Sequence, residues 1–446
     1  MHQTNCNCSR RDFLKGATAG AAAFTISPIL GLRPAWGAAA GTTLPDNGEF
    51  LVVMNLLGGN DGLNTVIPSH RSNYEAERPN INLTDPALGN VPAGRQLHSL
   101  DGNYLLHYAL GPATGALPSG LKQMWDLGEL YVANKVGYDG RANLSHFTSQ
   151  DVYSFGVRDF GANGDGRGWL GRFADAYCAN ASDPRSVLGV VAVGVGRRRD
   201  FESNGAESLI LSNVDTFNVA SGEPVDDHEL RMRIVRDTMA QEPPPAAEPG
   251  ISILGSHRNA YDLVDVVEQG ISTWQDPNGR YSNNANNILR HLRSVSKMVH
   301  ADLGTRVYYT GFGGFDTHGT QLTRHETLLT RLNEALNNFR LDMMDRGRWA
   351  QCTVVVISEF GRRNFENVSV GTDHGHGSCF FVAGGPVRGG QIVGDIQNAE
   401  LTRSAGWLGR DIDFREIYSR ALERLGADPA RIFPEPFTNT GNIQLY

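Results

Sequence analysis

The sequence is expected to fold as an α/β protein built on a mostly parallel sheet. Three observations point there. Short apolar runs, of the length of buried strands, end in glycine-rich turns. One strand–helix–strand unit is legible between residues 306 and 357. Acidic and histidine residues gather beside the ends of those runs, where the loops of a parallel sheet build a site.

Residues 1–40 precede the fold. Ser9-Arg10-Arg11-Asp12-Phe13-Leu14-Lys15 is a twin-arginine export pattern, followed by an Ala/Gly-rich stretch from Gly16 to about Leu32. Ala35-Trp36-Gly37-Ala38-Ala39-Ala40 then offers small residues to signal peptidase. Thr18, Thr25, Ser27 and Pro28 interrupt the apolar run, so it is a poor membrane span. The expected partner is the twin-arginine export machinery, and the expected location is the periplasm or beyond. The mature form is expected not to span a membrane. Cargo of this route crosses folded, which points to a cofactor acquired before export.

The whole chain carries a net charge of −8. Residues 1–40 hold Arg10, Arg11, Lys15 and Arg33 against Asp12, a net of +3, which leaves the remainder at −11. A surface that acidic argues against nucleic acid as a partner. Cys6 and Cys8 lie within the signal; Cys178, Cys352 and Cys379 are scattered and form no disulfide framework. Cys352 and Cys379 adjoin apolar runs and are expected as buried thiols.

The elements follow in order. Phe50–Leu57 reads as a buried strand entering the turn Gly58-Gly59-Asn60-Asp61-Gly62. A helical segment near Ser119–Leu127 precedes a second strand at Leu130–Val136, and further strands are expected at Val187–Val195 and Arg306–Thr310. Leu328, Leu329, Leu332, Leu336, Phe339 and Met343 form the stripe of an amphipathic helix, with Gly347 placed as its C-terminal stop. Cys352–Ile357 is the next strand, parallel to the one before the helix. Cys379–Ala383 is another strand. A last helix starts at Asp413, with Glu416 set for a capping box and an apolar face of Phe414, Ile417, Tyr418, Ala421, Leu422 and Leu425. Residues 41–446 are expected to be one domain. The interval of about 197–282, with its proline-rich loop at 242–250, reads as an insertion.

The loops at the strand ends offer Asp61, Asp316, His318, Glu359, Asp373, His374 and His376. Carboxylates and imidazoles in that mixture suit Zn²⁺ or Mn²⁺, as one ion or two. Each has a plainer reading alone. Asp61 can be a turn former, Asp316-Thr317-His318 a solvated turn, and Glu359 a partner of Arg362. Joined at neighbouring strand ends, the set favours a metal.

Four stretches carry a resemblance: Gly58–Asn64 (GGNDGLN), Gly314–Gln321 (GFDTHGTQ), Ser358–Arg363 (SEFGRR) and Gly371–His376 (GTDHGH). Together they resemble the DUF1501 family of exported bacterial proteins. That family is similar to the alkaline phosphatase-like superfamily, which includes sulfatases. The resemblance implies a three-layer alkaline phosphatase-like sandwich with a mostly parallel central sheet. It implies Asp61, Asp316 and His318 as metal ligands, with His374 or His376 as a late histidine. It implies a hydroxyl nucleophile at a helix start beside the metal, where Ser145 lies, with Thr148 as runner-up. The plainer role for Ser145 is a helix N-cap. His146 is open between ligand, base and oxyanion contact. Arg141 and Arg362 can hold an anionic group, and Asn60 substrate. Two departures stand out. Asp316 and His318 are two residues apart where those relatives use four, and Ser358-Glu359 replaces an Asp-His pair. The implied function is an exported metal-dependent hydrolase of phosphate or sulfate esters, small or on a modified polysaccharide. The alternative is a non-catalytic binding or assembly protein on the same fold.

Overall fold

The computed structural model describes residues 44–139, 144–158, 164–178, 184–217, 263–437 and 443–446. The signal segment, Arg141 and the proline-rich loop lie outside the described residues.

The strands in chain order are β1 (Phe50–Leu57), β2 (Val66–Pro68), β3 (His98–Ser99), β4 (Tyr104–Leu106), β5 (Leu130–Gly137), β6 (Val190–Val193), β7 (Leu209–Leu211), β8 (Val307–Gly313), β9 (Cys352–Ile357), β10 (Ser378–Gly384), β11 (Gln391–Val393) and β12 (Ile412–Asp413). Nine form one sheet in the order β11-β5-β10-β9-β1-β8-β6-β7, with β12 also beside β5; β2, β4 and β3 form a small second sheet. β1 runs parallel to β8 and to β9, β6 runs parallel to β8 and to β7, and β11 and β12 run parallel to β5. Only β10 is reversed, antiparallel to both β9 and β5.

Both faces of the sheet are buried, which is why its strands read as unbroken apolar runs. Phe50, Val52, Met54 and Leu56 of β1 point into one core, while Leu51 and Val53 point into the other. The first core is closed by the helices Asn287–Ala301 and Gln321–Asp345 through residues such as Leu292, Val295, Leu332 and Phe339. The second is closed by Trp169–Tyr177 and Phe414–Arg424 through Trp169, Phe173, Ile417 and Leu422.

The expected strand–helix–strand unit is present. β8 and β9 are parallel but flank β1, so Leu51 pairs with Val307 on one side and Thr353 on the other. Gly347 follows the helix with φ +67, the left-handed conformation of a C-terminal glycine. The final helix is capped by Asp413 itself, whose carboxylate accepts from the Arg415 N–H. Cys178, Cys352 and Cys379 are free, the last two buried. Within the interval 197–282, β7 joins the main sheet as an edge strand, so part of that interval belongs to the sheet itself.

The reversal of β10 places the site. Asp316 and Glu359 follow strands β8 and β9, whereas His374 and His376 precede β10. One antiparallel strand brings the loop before it to the edge where its parallel neighbours end. β5 ends on that edge too, and leads towards the helix His146–Phe155.

Candidate metal centre

Four side chains from two loops and one helix start converge. His146, Asp316 and His374 each present a ligand atom within 4.8 Å of the others. His318 joins them, its Nε2 lying 3.0 Å from Asp316 Oδ1 and 3.0 Å from His374 Nε2. His374 Nε2 is 3.0 Å from Asp316 Oδ1, and His146 Nε2 is 3.4 Å from Asp316 Oδ2.

Each imidazole is anchored through its other nitrogen. His374 Nδ1 is 2.6 Å from the Leu144 carbonyl, His146 Nδ1 is 3.0 Å from Glu359 Oε1, and His318 Nδ1 is 3.0 Å from Asp373 Oδ1. All three partners are pure acceptors, so each Nδ1 carries the proton and donates. In the neutral rings every Nε2 then presents a lone pair, and all three lone pairs face the Asp316 carboxylate. Acceptors facing acceptors at these distances repel unless a cation or an extra proton sits among them. Tetrahedral ligands with bonds of about 2.0–2.2 Å lie roughly 3.3 Å apart; the contacts to Asp316 and between His318 and His374 fall at 3.0–3.4 Å, and the set whose ligand atoms all lie within 4.8 Å of one another is His146, Asp316 and His374. The donor set of imidazole and carboxylate, with each imidazole oriented by a second acceptor, suits Zn²⁺ or Mn²⁺.

The electrostatics agree. Burial pushes the Asp316 carboxyl up, but the hydrogen bond from the Arg362 guanidinium prevails and holds the group well below the usual range, as the anion. Burial pushes His374 down and keeps it neutral. The Glu359 hydrogen bond raises His146 against its own burial, so with no cation present this ring favours a second proton on the Nε2 facing Asp316. Asp316 and His318 have side chains 44% and 45% exposed, so solutes reach the centre from solvent.

Glycine is required where these loops touch. Gly58 has φ +118, and a Cβ there would lie 2.4 Å from the Asp316 N. A Cβ on Gly371 would lie 2.4 Å from the carbonyl carbon of His318.

The remaining expected site residues lie as follows. Asp61 is 1% exposed and turned inward; Arg78 grips it with bonds of 2.6 and 3.0 Å, and Gln321 donates to it as well. Asn60 is fully buried, its side chain bonded to Thr65 and His325. Glu359 is buried and supports the centre from behind, accepting from His146, Gln150 and the Gly58 N–H. Asp373 orients His318 and accepts also from Asn367. His376 is directed elsewhere, to the Tyr138 carbonyl at 3.1 Å. Arg362 has no exposed side-chain surface; it donates to Asp316 and to the carbonyls of Gly58, Gly59, Phe315 and Thr372. It therefore positions Asp316 rather than meeting a ligand. Ser145 is the N-cap residue of the His146–Phe155 helix, although its side chain makes no capping bond. It lies between Leu144 and His146, both of which touch the centre. Thr148 is one turn further along.

Several contributors are of residue types that a search for metal ligands passes over. Arg78 spends all five N–H groups on Asp61, Asn64, Arg363 and Asn364. Phe360 packs its ring 4.9 Å from His146 and 4.6 Å from His374, a wall behind two of the imidazoles. Gln321, the last residue of the GFDTHGTQ stretch, links Asp61 to Thr317 and Thr372.

The fold and this centre define an α/β protein with a carboxylate–histidine cluster at the edge of a mostly parallel sheet. The family model "Protein of unknown function (DUF1501)" matches residues 138–440, which is 303 of the 446 residues, and the chain belongs to that family. A twin-arginine translocation signal matches residues 7–27, so the protein is exported by that pathway to the periplasm or beyond. Among the described residues no helix is long and apolar enough to cross a membrane. No curated protein matches the chain.

Proposed function

We propose that this protein is an exported metal-dependent hydrolase of phosphate or sulfate esters, on a sandwich of the alkaline phosphatase-like type. The observation that carries the reading is the convergence of three Nδ1-anchored imidazoles on Asp316. His146, Asp316, His318 and His374 would hold one divalent ion. The ion's contribution is Lewis acidity, which polarises an ester oxygen and favours the anionic form of a nearby hydroxyl. Ser145 offers that hydroxyl beside two contact points of the centre. Arg362 fixes the Asp316 carboxylate, and Glu359 and Asp373 fix two of the imidazoles, so the site is organised before substrate arrives. Asp61 and His376, which a second ion would need, are engaged elsewhere, which supports a single ion.

A second reading is a non-catalytic binding or assembly protein. One observation favours it: Glu359, where the resembled enzymes carry a histidine, is buried and bonded to His146, Gln150 and the Gly58 N–H, so it offers no second ion site.

The test is metal analysis of protein matured with its signal intact, followed by aryl phosphate and aryl sulfate assays. The hydrolase reading expects about one Zn or Mn per chain, and turnover that is lost in Asp316→Ala and Ser145→Ala. Bound metal with no turnover on any ester supports the binding protein. No bound metal, with stability unchanged by chelator, sinks both.

A further inference from the structure

A cavity of about 510 Å³ opens on the same sheet edge, on the far side of the β1–β8 pair from the centre. Its floor is Leu57 and Gly311–Gly313. Leu57 directly precedes Gly58, whose N–H holds Glu359, and pairs with Gly313, three residues before Asp316. Its walls are the Gly194–Arg198 loop after β6 and the first turn of the Asn287–Ala301 helix. The loop packs on the helix that carries His146, through the Arg199–Asp151 ion pair at 2.8 Å.

The lining is basic in an acidic chain. Arg197, Arg198 and Arg290 face the cavity, and among the described residues no acidic one lines it. Arg290 is exposed and makes no ion pair among the described residues. Arg197 pairs, among the described residues, with the solvent-exposed Glu202 at 3.2 Å, a pair worth little. Arg198 is held over the Tyr309 ring and by Asp200, so its guanidinium is fixed in place. Arginines recognise carboxylate, sulfate or phosphate oxygens.

We propose that this cavity is a binding subsite for an anionic ligand bearing a carboxylate or sulfate group, gripped by Arg197, Arg198 and Arg290. Its role as a substrate subsite rests on the hydrolytic reading of the neighbouring centre; the binding itself does not. It would set specificity for esters that carry a second anionic group, since the cavity adjoins the edge where the ester would lie.

The experiment is calorimetric titration of the full mature protein with glucuronate, with sodium sulfate and with glucose, at fixed ionic strength. Glucuronate and sulfate are both expected to bind, and glucose not measurably. The Arg197→Ala/Arg290→Ala double variant should weaken glucuronate by about tenfold or more, because charge-assisted hydrogen bonds are lost. Arg290→Lys should recover part of it. Asp316→Asn should leave glucuronate binding unchanged, whether or not the centre proves hydrolytic, so failure of the hydrolase reading is distinguishable from failure of the subsite. Binding that survives the double variant, that vanishes in Asp316→Asn, or that is absent for both anions overturns the proposal. Glucose binding as tightly as glucuronate overturns the assignment to an anion. Thermal unfolding of each variant confirms that the exposed substitutions leave the fold intact.

Discussion

Replacing Arg78 with methionine tests whether Asp61 belongs to the framework or to the metal. The arginine and the aspartate are 0% and 1% exposed and meet in a two-pronged ion pair. Methionine fills similar space but removes all five donors. It leaves the Asp61 carboxylate with Gln321 alone and strips the carbonyls of Arg363 and Asn364 of their partner. Breaking one side of a buried pair costs about 3–5 kcal/mol, a large share of the roughly 5–15 kcal/mol that holds a domain folded. Asp61→Asn should cost a comparable amount, because its amide would face the guanidinium. Arg78→Met/Asp61→Leu should be far less damaging than the sum, since no orphaned charge remains. Urea unfolding followed by circular dichroism gives these values, and metal analysis of the same samples completes the test. Asp61→Asn should retain its metal, whereas Asp316→Asn should lose it, together with the stabilisation that a bound ion supplies. The reasoning is refuted if Asp61→Asn unfolds like the wild type yet comes out metal-free.

Three further outcomes are expected. Glu359→Gln weakens the anchor of His146 and should lower metal affinity about 10–100-fold, read by competition with a chromophoric chelator; unchanged affinity would separate Glu359 from the centre. Gly58→Ala drives a Cβ against the Asp316 backbone and should reduce metal content. The control is Gly128→Ala, which has φ +72 and no atom within 4 Å; it should cost only about 1–2 kcal/mol of left-handed strain and keep its metal. The last concerns acid. Burial pushes the Asp165 carboxyl up, but hydrogen bonds from Arg172 and Arg167 prevail and hold it at about 2, below its ordinary 3.8. A depressed folded-state value means that its stabilisation is complete above about pH 4 and is lost as the pH falls towards 2. Asp165→Asn should therefore flatten the melting temperature between pH 4 and 2; an unaltered slope would count against the pair.

Strand positions were readable because both faces of the sheet are buried, so β1, β5, β8 and β9 stand out as apolar runs. Asp316, His318 and His374 were readable because they lie where such runs stop. Direction was not, since Ser378–Gly384 looks the same whichever way it runs; only its partners make it antiparallel. Asp61 shows why a strand-end acid need not be a ligand. Whether its carboxylate faces the centre or the interior depends on Arg78, seventeen positions away in a stretch with no periodic pattern. His374 could be picked out, but the Leu144 carbonyl that sets its tautomer could not, because any residue supplies a carbonyl.

The groups that build the centre lie far apart in the chain: Leu144 and His374 alone are separated by 230 positions. No short segment can therefore assemble it, and the unfolded chain should have little affinity for an ion there. Binding confined to the folded state stabilises it by about 2.7 kcal/mol when free ion stands at 100 times its dissociation constant. For cargo that crosses the membrane already folded, the consequence is one of timing. Any ion held at Asp316 is selected from the cytoplasmic pool, where the sheet closes, and not from the richer and less regulated mixture outside.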